Sequence, residues 1–583
     1  MFSSGGIGGL VIGLVMVATG CSGPEGEPGA AITDPSPAAG GSSAVRSSDG
    51  GANTSSSGGA PDSTSSASGG SSSTGCEPVT ERRVRRLTAR EYVQSVIALT
   101  GAEPVAPSLP DPIVHGFDNN ADALNITAGN FDEYAIAAEL SAANLDVDRL
   151  APCGDEGDAP RDCARAFAQP FASLAYGRDI SETELESLLA LYDTGNRAGG
   201  YATGIRLIAE SVLLSPFFLY RTELGVEGST ATAELTPEEK VNALSFALTG
   251  ARPDAELVAW VQAPERLSQR EEVEKQARRL VTSDAGRQHL AHFVRGLFGV
   301  LDLRLVNKEP VRFPIYTPAV KADLDREIEL FLERALGPGG GTWEAVLGAD
   351  TTFMNQNLFR VIYAADYAPA EAPRLPSTGE FVAVPLNTRI RRGLLGLAGW
   401  EAAHSPIHRS SPVDRAVNVR SRLLCAPIPP PVGLMFTSPP PGDETGTTRQ
   451  KFEVHTRDQA CQACHRLIDP LGFGLEMIDA LGRYREQENN LPVDSSGALV
   501  GTDVDGPFSG PAELSLLLLK SQQARECVAI QWFRFSEGRE EESADACVLE
   551  PLKKFFARGS RSFADLAVET ALQRNFMRRR REP

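Results

Sequence analysis

The chain lacks several features that would assign a function at sight. It has no excess of positive charge, since 56 Lys and Arg stand against 76 Asp and Glu for a formal net charge of −20. This balance argues against an extended nucleic-acid-binding surface. The sequence shows no phosphate-binding loop, dinucleotide fingerprint or nucleophile elbow. Nine cysteines in 583 residues are too few for a disulfide-dense mini-scaffold.

What is present is an ordinary globular composition, with 42% hydrophobic and 23% charged residues. It excludes wholesale disorder, a fibre and a polytopic membrane protein. At roughly 150 residues per domain, the length predicts three or four folded modules. No internal repeat of fixed period is evident, so a solenoid is not indicated.

The N-terminal residues are typical of an export signal. Residues 7–18 form an apolar run of 12, which is shorter than a spanning helix needs and fits a signal-peptide core. The run leads into small residues and Cys21, which resembles the bacterial lipoprotein cleavage box. We therefore expect Cys21 to be lipid-modified, and the exported chain to be anchored in the periplasm or at the outer membrane or cell surface. The alternative is a plain secretory signal with an incidental cysteine.

Residues 22–75 differ from the rest of the chain in composition. They include 16 Ser and 12 Gly and no Leu, Lys or aromatic residue. Such a segment has almost no apolar area to bury against its ordering entropy. We expect a disordered tether that lets the folded body stand clear of a membrane surface.

The fold class is predicted from the periodicity after Cys76, which is mainly helical. Thr88 and Gly101 are typical of the start and end of one helix, and Thr236-Pro237-Glu238-Glu239 is a capping-box start for another. Alternating strand patterns are scarce. We expect a mainly α protein, with a multi-helical N-terminal body and a small helical, cytochrome-c-like C-terminal module. The predicted segments are 1–21 (lipoprotein signal peptide), 22–75 (tether), 76–225 (N-terminal helical domains), 226–425 (central helical domain), 426–520 (haem module) and 521–583 (C-terminal helical domain).

The sequence Cys461-Gln462-Ala463-Cys464-His465 is the most informative motif in the chain. Two thiols three positions apart can add across the two vinyl groups of a haem, and the next residue, His465, can then ligate the iron from the proximal side. Covalent haem attachment takes place outside the cytoplasm, in agreement with the export signal. We therefore predict one covalently bound haem c.

Two other interpretations of the motif remain open. Cys461 and Cys464 can form a structural or redox-active disulfide. They can also contribute to a zinc site, although no second Cys-x-x-Cys pair supplies the missing ligands. The distal iron ligand is also open, with His455 or Met435 as candidates. Asp469-Pro470 predicts a turn directly after His465.

Two arginines are candidate partners of the haem, and the remaining cysteines are candidates for disulfides. Arg483 and Arg485 are candidate partners of the haem propionates. Six cysteines remain besides Cys21 and the motif, an even number that suits an oxidising compartment. Short loops favour a Cys153–Cys163 and a Cys527–Cys547 disulfide, and elimination then leaves Cys76 with Cys425.

The stretch from Cys461 to Arg485 resembles the core of the family catalogued as domain of unknown function 1588, which is often described as cytochrome-c-like. Other segments resemble its companion domains: residues 86–92 an N-terminal companion, residues 215–221 and 235–254 the one numbered 1592, and residues 527–539 the one numbered 1585. The resemblance implies an exported protein with a haem c, and it implies no substrate.

The leading functional hypothesis is a membrane-tethered c-type haem protein in electron transfer, as a relay or as the redox module of an oxidoreductase of unknown substrate. Its acidic charge would steer it toward a basic redox partner protein rather than nucleic acid. No catalytic acid or base can be nominated. The alternative is a non-enzymatic surface lipoprotein, a binding or scaffold module with a structural Cys461–Cys464 disulfide.

Overall fold

The structure is a computed structural model that describes residues 80–153, 159–227, 231–428, 445–455 and 459–581, without the side chains of residues 454, 455 and 459–461. These residues are mainly helical, as predicted. No helix among them is long and apolar enough to cross a membrane. They all belong to one compact unit, Thr74–Pro583, and the domain boundaries predicted within it stay predictions.

The first half of the chain contains most of the long helices. Their bounds are α1 (Ala89–Thr100), α2 (Ala128–Ala143), α3 (Val147–Leu150), α4 (Pro160–Tyr176), α5 (Glu182–Gly199), α6 (Tyr201–Leu213), α7 (Pro216–Leu219), α8 (Pro237–Thr249), α9 (Ala255–Val258), α10 (Arg270–Val281), α11 (Asp284–Phe298), α12 (Pro318–Leu336), α13 (Trp343–Leu347) and α14 (Gln356–Leu358).

The second half contains the motif helix and the C-terminal helices. Their bounds are α15 (Ala398–Ala403), α16 (Pro412–Asn418), α17 (Thr448–His455), α18 (Gln459–Phe473), α19 (Gly510–Lys520), α20 (Gln522–Glu537), α21 (Ala546–Ala557) and α22 (Phe563–Ala571). Two π-helical turns, Phe359–Tyr363 and Val419–Leu423, extend α14 and α16.

Local capping signals explain why these helices begin and end where they do. The Thr88 hydroxyl accepts a hydrogen bond from the Glu91 backbone and Glu91 returns one, a complete capping box, and α1 ends at Gly101 in the left-handed region. Thr236 caps α8 in the same way, with Pro237 in the first turn. Both helix starts are confirmed as predicted.

The strands form only short antiparallel pairs. These are β1 (Arg83–Arg86) with β2 (Tyr220–Glu223), β3 (Thr232–Glu234) with β10 (Arg578–Arg580), β4 (Thr351–Met354) with β5 (Val382–Pro385), β6 (Gln487–Glu488) with β7 (Leu491–Pro492), and β8 (Ser496–Leu499) with β9 (Gly506–Ser509). The β3–β10 pair aligns Arg578 with Glu234 and so joins the C-terminal end to the middle of the chain.

Two hydrophobic cores lie within the compact unit. One is built from α1 to α7 and includes Tyr92, Phe171 and Ile208. The other extends from Phe117 and α8 to the C-terminal helices and also includes residues of α18, such as Leu471. The motif helix therefore contributes side chains to the larger core.

The disulfides confirm one predicted pair and correct two. Cys153 bonds Cys163, as the short loop predicts. Cys425 bonds Cys527, so the predicted Cys527–Cys547 and Cys76–Cys425 pairs are wrong.

The reason for the correction is the length of α20. Ten residues of that helix separate Cys527 from the turn that leads to α21, a rise of about 15 Å. Cys547 lies in the first turn of α21, beyond reach of Cys527. Cys425 instead follows the π-helical turn 419–423, which packs against α20. Cys547 is itself disulfide-bonded, to a partner outside the described residues.

Candidate functional site

Helix α18 contains the entire Cys-x-x-Cys-His motif. In a helix, positions i, i+3 and i+4 share one face, so Cys461, Cys464 and His465 lie on the same side of α18. Cys464 is half-buried and has a free thiol. The side chain of Cys461 lies outside the described residues.

A buried carboxylate orients the motif histidine. His465 Nδ1 lies 2.8 Å from Asp469 Oδ1, one helical turn further along α18. The Asp469 residue is only 7% exposed, and the His465 side chain is largely buried. A carboxylate accepts only, so Nδ1–H donates to Asp469, and in the neutral form of the ring Nε2 carries the lone pair. Metal-binding histidines usually donate a hydrogen bond of this kind from the ring nitrogen that does not bind the metal, and the bond fixes the tautomer.

The predicted turn at Asp469-Pro470 is wrong, because α18 continues through Pro470 to Phe473. Close packing on both sides holds this last turn in place. A Cβ on Gly472 would lie 2.1 Å from the carbonyl oxygen of Pro412 in α16, and a Cβ on Gly497 of β8 would lie 2.7 Å from that of Pro470. Tertiary packing therefore overrides the local tendency of proline to end a helix.

A cavity of about 640 Å³ lies beside the motif histidine, within the range of about 300–1,000 Å³ typical of cofactor sites. We name it the His465 cavity. Pro470 and Phe473 contribute apolar walls, and Arg466 contributes positive charge. Arg449 also lines the cavity, but its charge is balanced by Glu453 and Asp494 at 3.2 and 3.0 Å. The Arg449 guanidinium stacks over the Phe473 ring at 4.9 Å. A haem is a flat, largely apolar ring with two anionic propionates. Its ring would contact the apolar walls and its propionates the positive charge, so these residues fit a haem.

The two arginines predicted to bind propionates lie elsewhere. Arg483 pairs with Asp479 at 2.7 Å, and Arg485 pairs with Glu476 at 2.8 Å. Both line a different cavity, to which His465 does not contribute. Arg466, directly after the motif, is the exposed cation at the His465 cavity.

A fully buried arginine fixes the segment that follows α18. Arg415 of α16 is 0% exposed and pairs with Glu401 at 2.9 Å. It donates to the backbone carbonyls of Ile478 and Asp479 at 2.9 and 2.8 Å. Burial raises the pKa of Glu401 to about 7, and it also raises the pKa of Glu476 in the same network. The polar network therefore fixes the polypeptide around the motif helix.

Several predicted site residues cannot be placed. Cys21 and Met435, and the side chain of His455, lie outside the described residues, so the lipid and distal-ligand predictions stay predictions. Among the residues that are described, no group of three or more His, Cys, Asp or Glu side chains could hold a metal ion.

Sequence reasoning missed two features of this region. It interpreted Asp469 as a turn residue, although the i, i+4 spacing from His465 on a helix would have indicated the contact. It also missed a group of cations that converge from distant parts of the chain: Arg312, Arg360, Arg409 and Lys451. Residues so far apart show no local pattern.

Five family models match successive parts of the chain, all described as proteins of unknown function. They are DUF1587 at residues 85–147, DUF1595 at 163–223, DUF1592 at 235–363, DUF1588 at 391–488 and DUF1585 at 505–576. Together they cover most of the chain from residue 85 to 576. The motif helix falls within the DUF1588 match. No curated protein and no solved structure matches the chain.

Proposed function

We propose that this chain, which belongs to the family of these five domains of unknown function, is an exported c-type haem protein that acts in electron transfer. The motif helix lies in its DUF1588 domain. The observation that carries this proposal is the arrangement on α18. The three motif positions share one face of the helix, and His465 Nδ1 lies 2.8 Å from the buried carboxylate of Asp469.

Each residue of the site has a separate role in this proposal. Cys461 and Cys464 fasten the porphyrin through thioether bonds, and His465 ligates the iron through Nε2. Asp469 is a positioning residue, which holds the imidazole ring and its tautomer. Arg466 is the cation available for a propionate, and Phe473 and Pro470 provide apolar contact. A bound haem would supply one-electron oxidation and reduction.

The cysteines support an extracytoplasmic location. Two disulfides connect described residues, and Cys547 forms a third with a residue outside them. Disulfides persist in oxidising compartments and are rare in the cytosol. We propose that the chain is exported and held to a membrane by a lipid on Cys21, in the periplasm or at the outer membrane or cell surface. Its net charge of −20 would favour a basic redox partner protein.

The alternative function is a surface lipoprotein that binds or scaffolds through a structural Cys461–Cys464 disulfide. The free thiol of Cys464 does not favour it. Such a protein would bind no haem, so the two functions give opposite results in a haem assay.

Haem retention on a denaturing gel tests the proposal. The full chain is expressed with haem c maturation machinery, and the gel is stained for haem. We expect a stained band that disappears in the Cys461→Ala and Cys464→Ala double variant. A matched Cys153→Ala and Cys163→Ala variant, which loses a disulfide away from α18, should keep its stain.

An unstained wild-type band, in cells where a control cytochrome matures, would contradict the haem assignment and favour the lipoprotein. Stain that persists in the Cys461 and Cys464 variant would contradict attachment at this motif. Circular dichroism of each variant shows whether the helical body still folds.

A further inference from the structure

A second cavity, of about 860 Å³, lies on the other side of α17 from the His465 cavity. We name it the basic cavity. Thr448, Lys451 and Phe452 of α17 line it, whereas Arg449 and Glu453 of the same helix line the His465 cavity. The two cavities share no lining residue, so they can hold different ligands.

The charge of the basic cavity is unbalanced. Its lining includes six Arg and Lys side chains and only two carboxylates, those of Asp479 and Glu488. Arg483 pairs with Asp479, and Arg485 pairs with Glu488 at 3.2 Å. Both carboxylates of the cavity are therefore already neutralised.

Four cations are left without a carboxylate partner among the described residues: Arg312, Arg360, Arg409 and Lys451. Four like charges around one cavity repel one another, and a low-dielectric wall strengthens that repulsion. An anion in the cavity would remove this cost and gain charge-assisted hydrogen bonds.

One of these cations is held in place by the fold. The Arg409 guanidinium lies 5.2 Å from the centre of the Phe452 ring, and Phe452 is only 3% exposed. The Nε atom of Arg409 is buried without a hydrogen-bond acceptor among the described residues. A buried unpaired donor is costly, and an oxyanion in the cavity is a chemically suited acceptor.

The remainder of the lining is not uniformly polar. Phe313, Val361 and Tyr484 add aromatic and aliphatic surface to the lining. A bare inorganic ion would leave that surface unused. The ligand indicated by both kinds of surface has a carbon skeleton and several negative groups.

We propose that the basic cavity binds an organic anion with two or more carboxylate or phosphate groups. Arg360 and Lys451 bind its outer groups, and Arg409 binds the innermost one in a forked, bidentate geometry. The site does not depend on the haem, because it shares no residue with the His465 cavity.

Isothermal titration of the full chain tests this proposal. The protein is the Cys461→Ala and Cys464→Ala variant, so that binding is measured without haem and a failure of the haem proposal leaves the result readable. The probes are citrate for carboxylates and phytate for phosphates, with acetate as a single-charge control, all at one ionic strength. We expect citrate or phytate to bind at least about tenfold more tightly than acetate.

Substitutions locate the binding. Arg360→Gln and Lys451→Gln should each weaken binding of the preferred probe by about five- to tenfold. Arg360→Lys should restore part of the loss, because it keeps the charge. Lys275→Gln on α10, an exposed lysine outside the cavity, removes the same charge and should change nothing.

Three results would overturn the proposal. One is that neither citrate nor phytate binds more tightly than acetate. Another is that Lys275→Gln weakens binding as much as Arg360→Gln, which would show unspecific attraction. A third is that the substitutions in the cavity leave the affinity unchanged. Arg360 is exposed, so its variants should fold and give a clear result.

Discussion

Replacing Asp469 by Asn should raise the reduction potential of the proposed haem without releasing it. Asp469 accepts from His465 Nδ1 at 2.8 Å, and in the proposed site its charge would stabilise the more positive, oxidised iron through the imidazole ring. Asparagine keeps the shape and can still accept a hydrogen bond, but it removes the charge. The reduced state therefore becomes relatively more stable.

The magnitude follows from the difference between two kinds of hydrogen bond. A hydrogen bond to a charged group contributes about 1.5–3 kcal/mol, against about 0.5–1.5 kcal/mol for a neutral one. If the whole difference of about 1 kcal/mol acts on the oxidised state, the shift reaches an upper bound of about 40 mV, since about 1.4 kcal/mol equals about 59 mV for one electron. The low exposure of Asp469 limits screening by water.

A spectroelectrochemical titration of the wild type and Asp469→Asn measures this shift. Asp132→Asn, an exposed aspartate on α2 outside the His465 cavity, is the matched control and should leave the potential unchanged. The reasoning is refuted if Asp469→Asn leaves the potential unchanged, lowers it, or shifts it no more than the control does.

Three further predictions concern the fold. Removing the Cys425–Cys527 disulfide should lower the free energy of unfolding by about 5 kcal/mol, because its long loop restricts the unfolded chain strongly. Removing Cys153–Cys163, which spans ten residues, should cost about 2 kcal/mol less. Equal losses in urea titrations would contradict this. Cys547 should bond Cys76, because Thr80, four positions after Cys76, donates to Glu537 at the end of α20, and Cys547 lies at the start of the next helix. Non-reducing peptide mapping that recovers Cys547 with a different cysteine would contradict this. Burial raises the pKa of Glu327 to about 7, so its contribution to stability should fall as pH rises from about 4.5 to 7. Urea titrations across this range should show a smaller fall in Glu327→Gln than in the wild type, with the remaining fall due to groups such as Glu401; parallel profiles would contradict it.

Local signals in the sequence were sufficient for most helices. Thr88 with Gly101 and Thr236 with Pro237 are caps whose hydrogen bonds involve residues only a few positions apart. Such contacts are encoded in short stretches, so reading the chain locally was enough to find them. The Cys153–Cys163 bond is also local, since only ten positions separate its cysteines.

Long-range contacts were not predictable in the same way. Pro470 should end a helix by its own chemistry, but α18 continues because α16 and β8 pack against it. Cys527 bonds Cys425 across 102 positions, and the rise along α20 that prevents a bond to Cys547 is visible only once the helix bounds are known.

The candidate site shows the same division. The motif Cys461 to His465 is a contiguous stretch, and its spacing is chemically specific, so the sequence alone supplied it. The contact between His465 and Asp469 required knowing that α18 continues beyond the motif. The convergence of Arg360 and Lys451 on one cavity depends on the tertiary fold.

A pyridine haemochrome spectrum of the purified mature protein tests the central claim most directly, because it distinguishes thioether-bound haem from haem that is merely associated. We predict the c-type spectrum at one haem per chain, with the haem recovered on the peptide that contains Cys461 and Cys464. A colourless protein from cells that mature other c-type cytochromes, or a spectrum of unattached haem, would contradict the account.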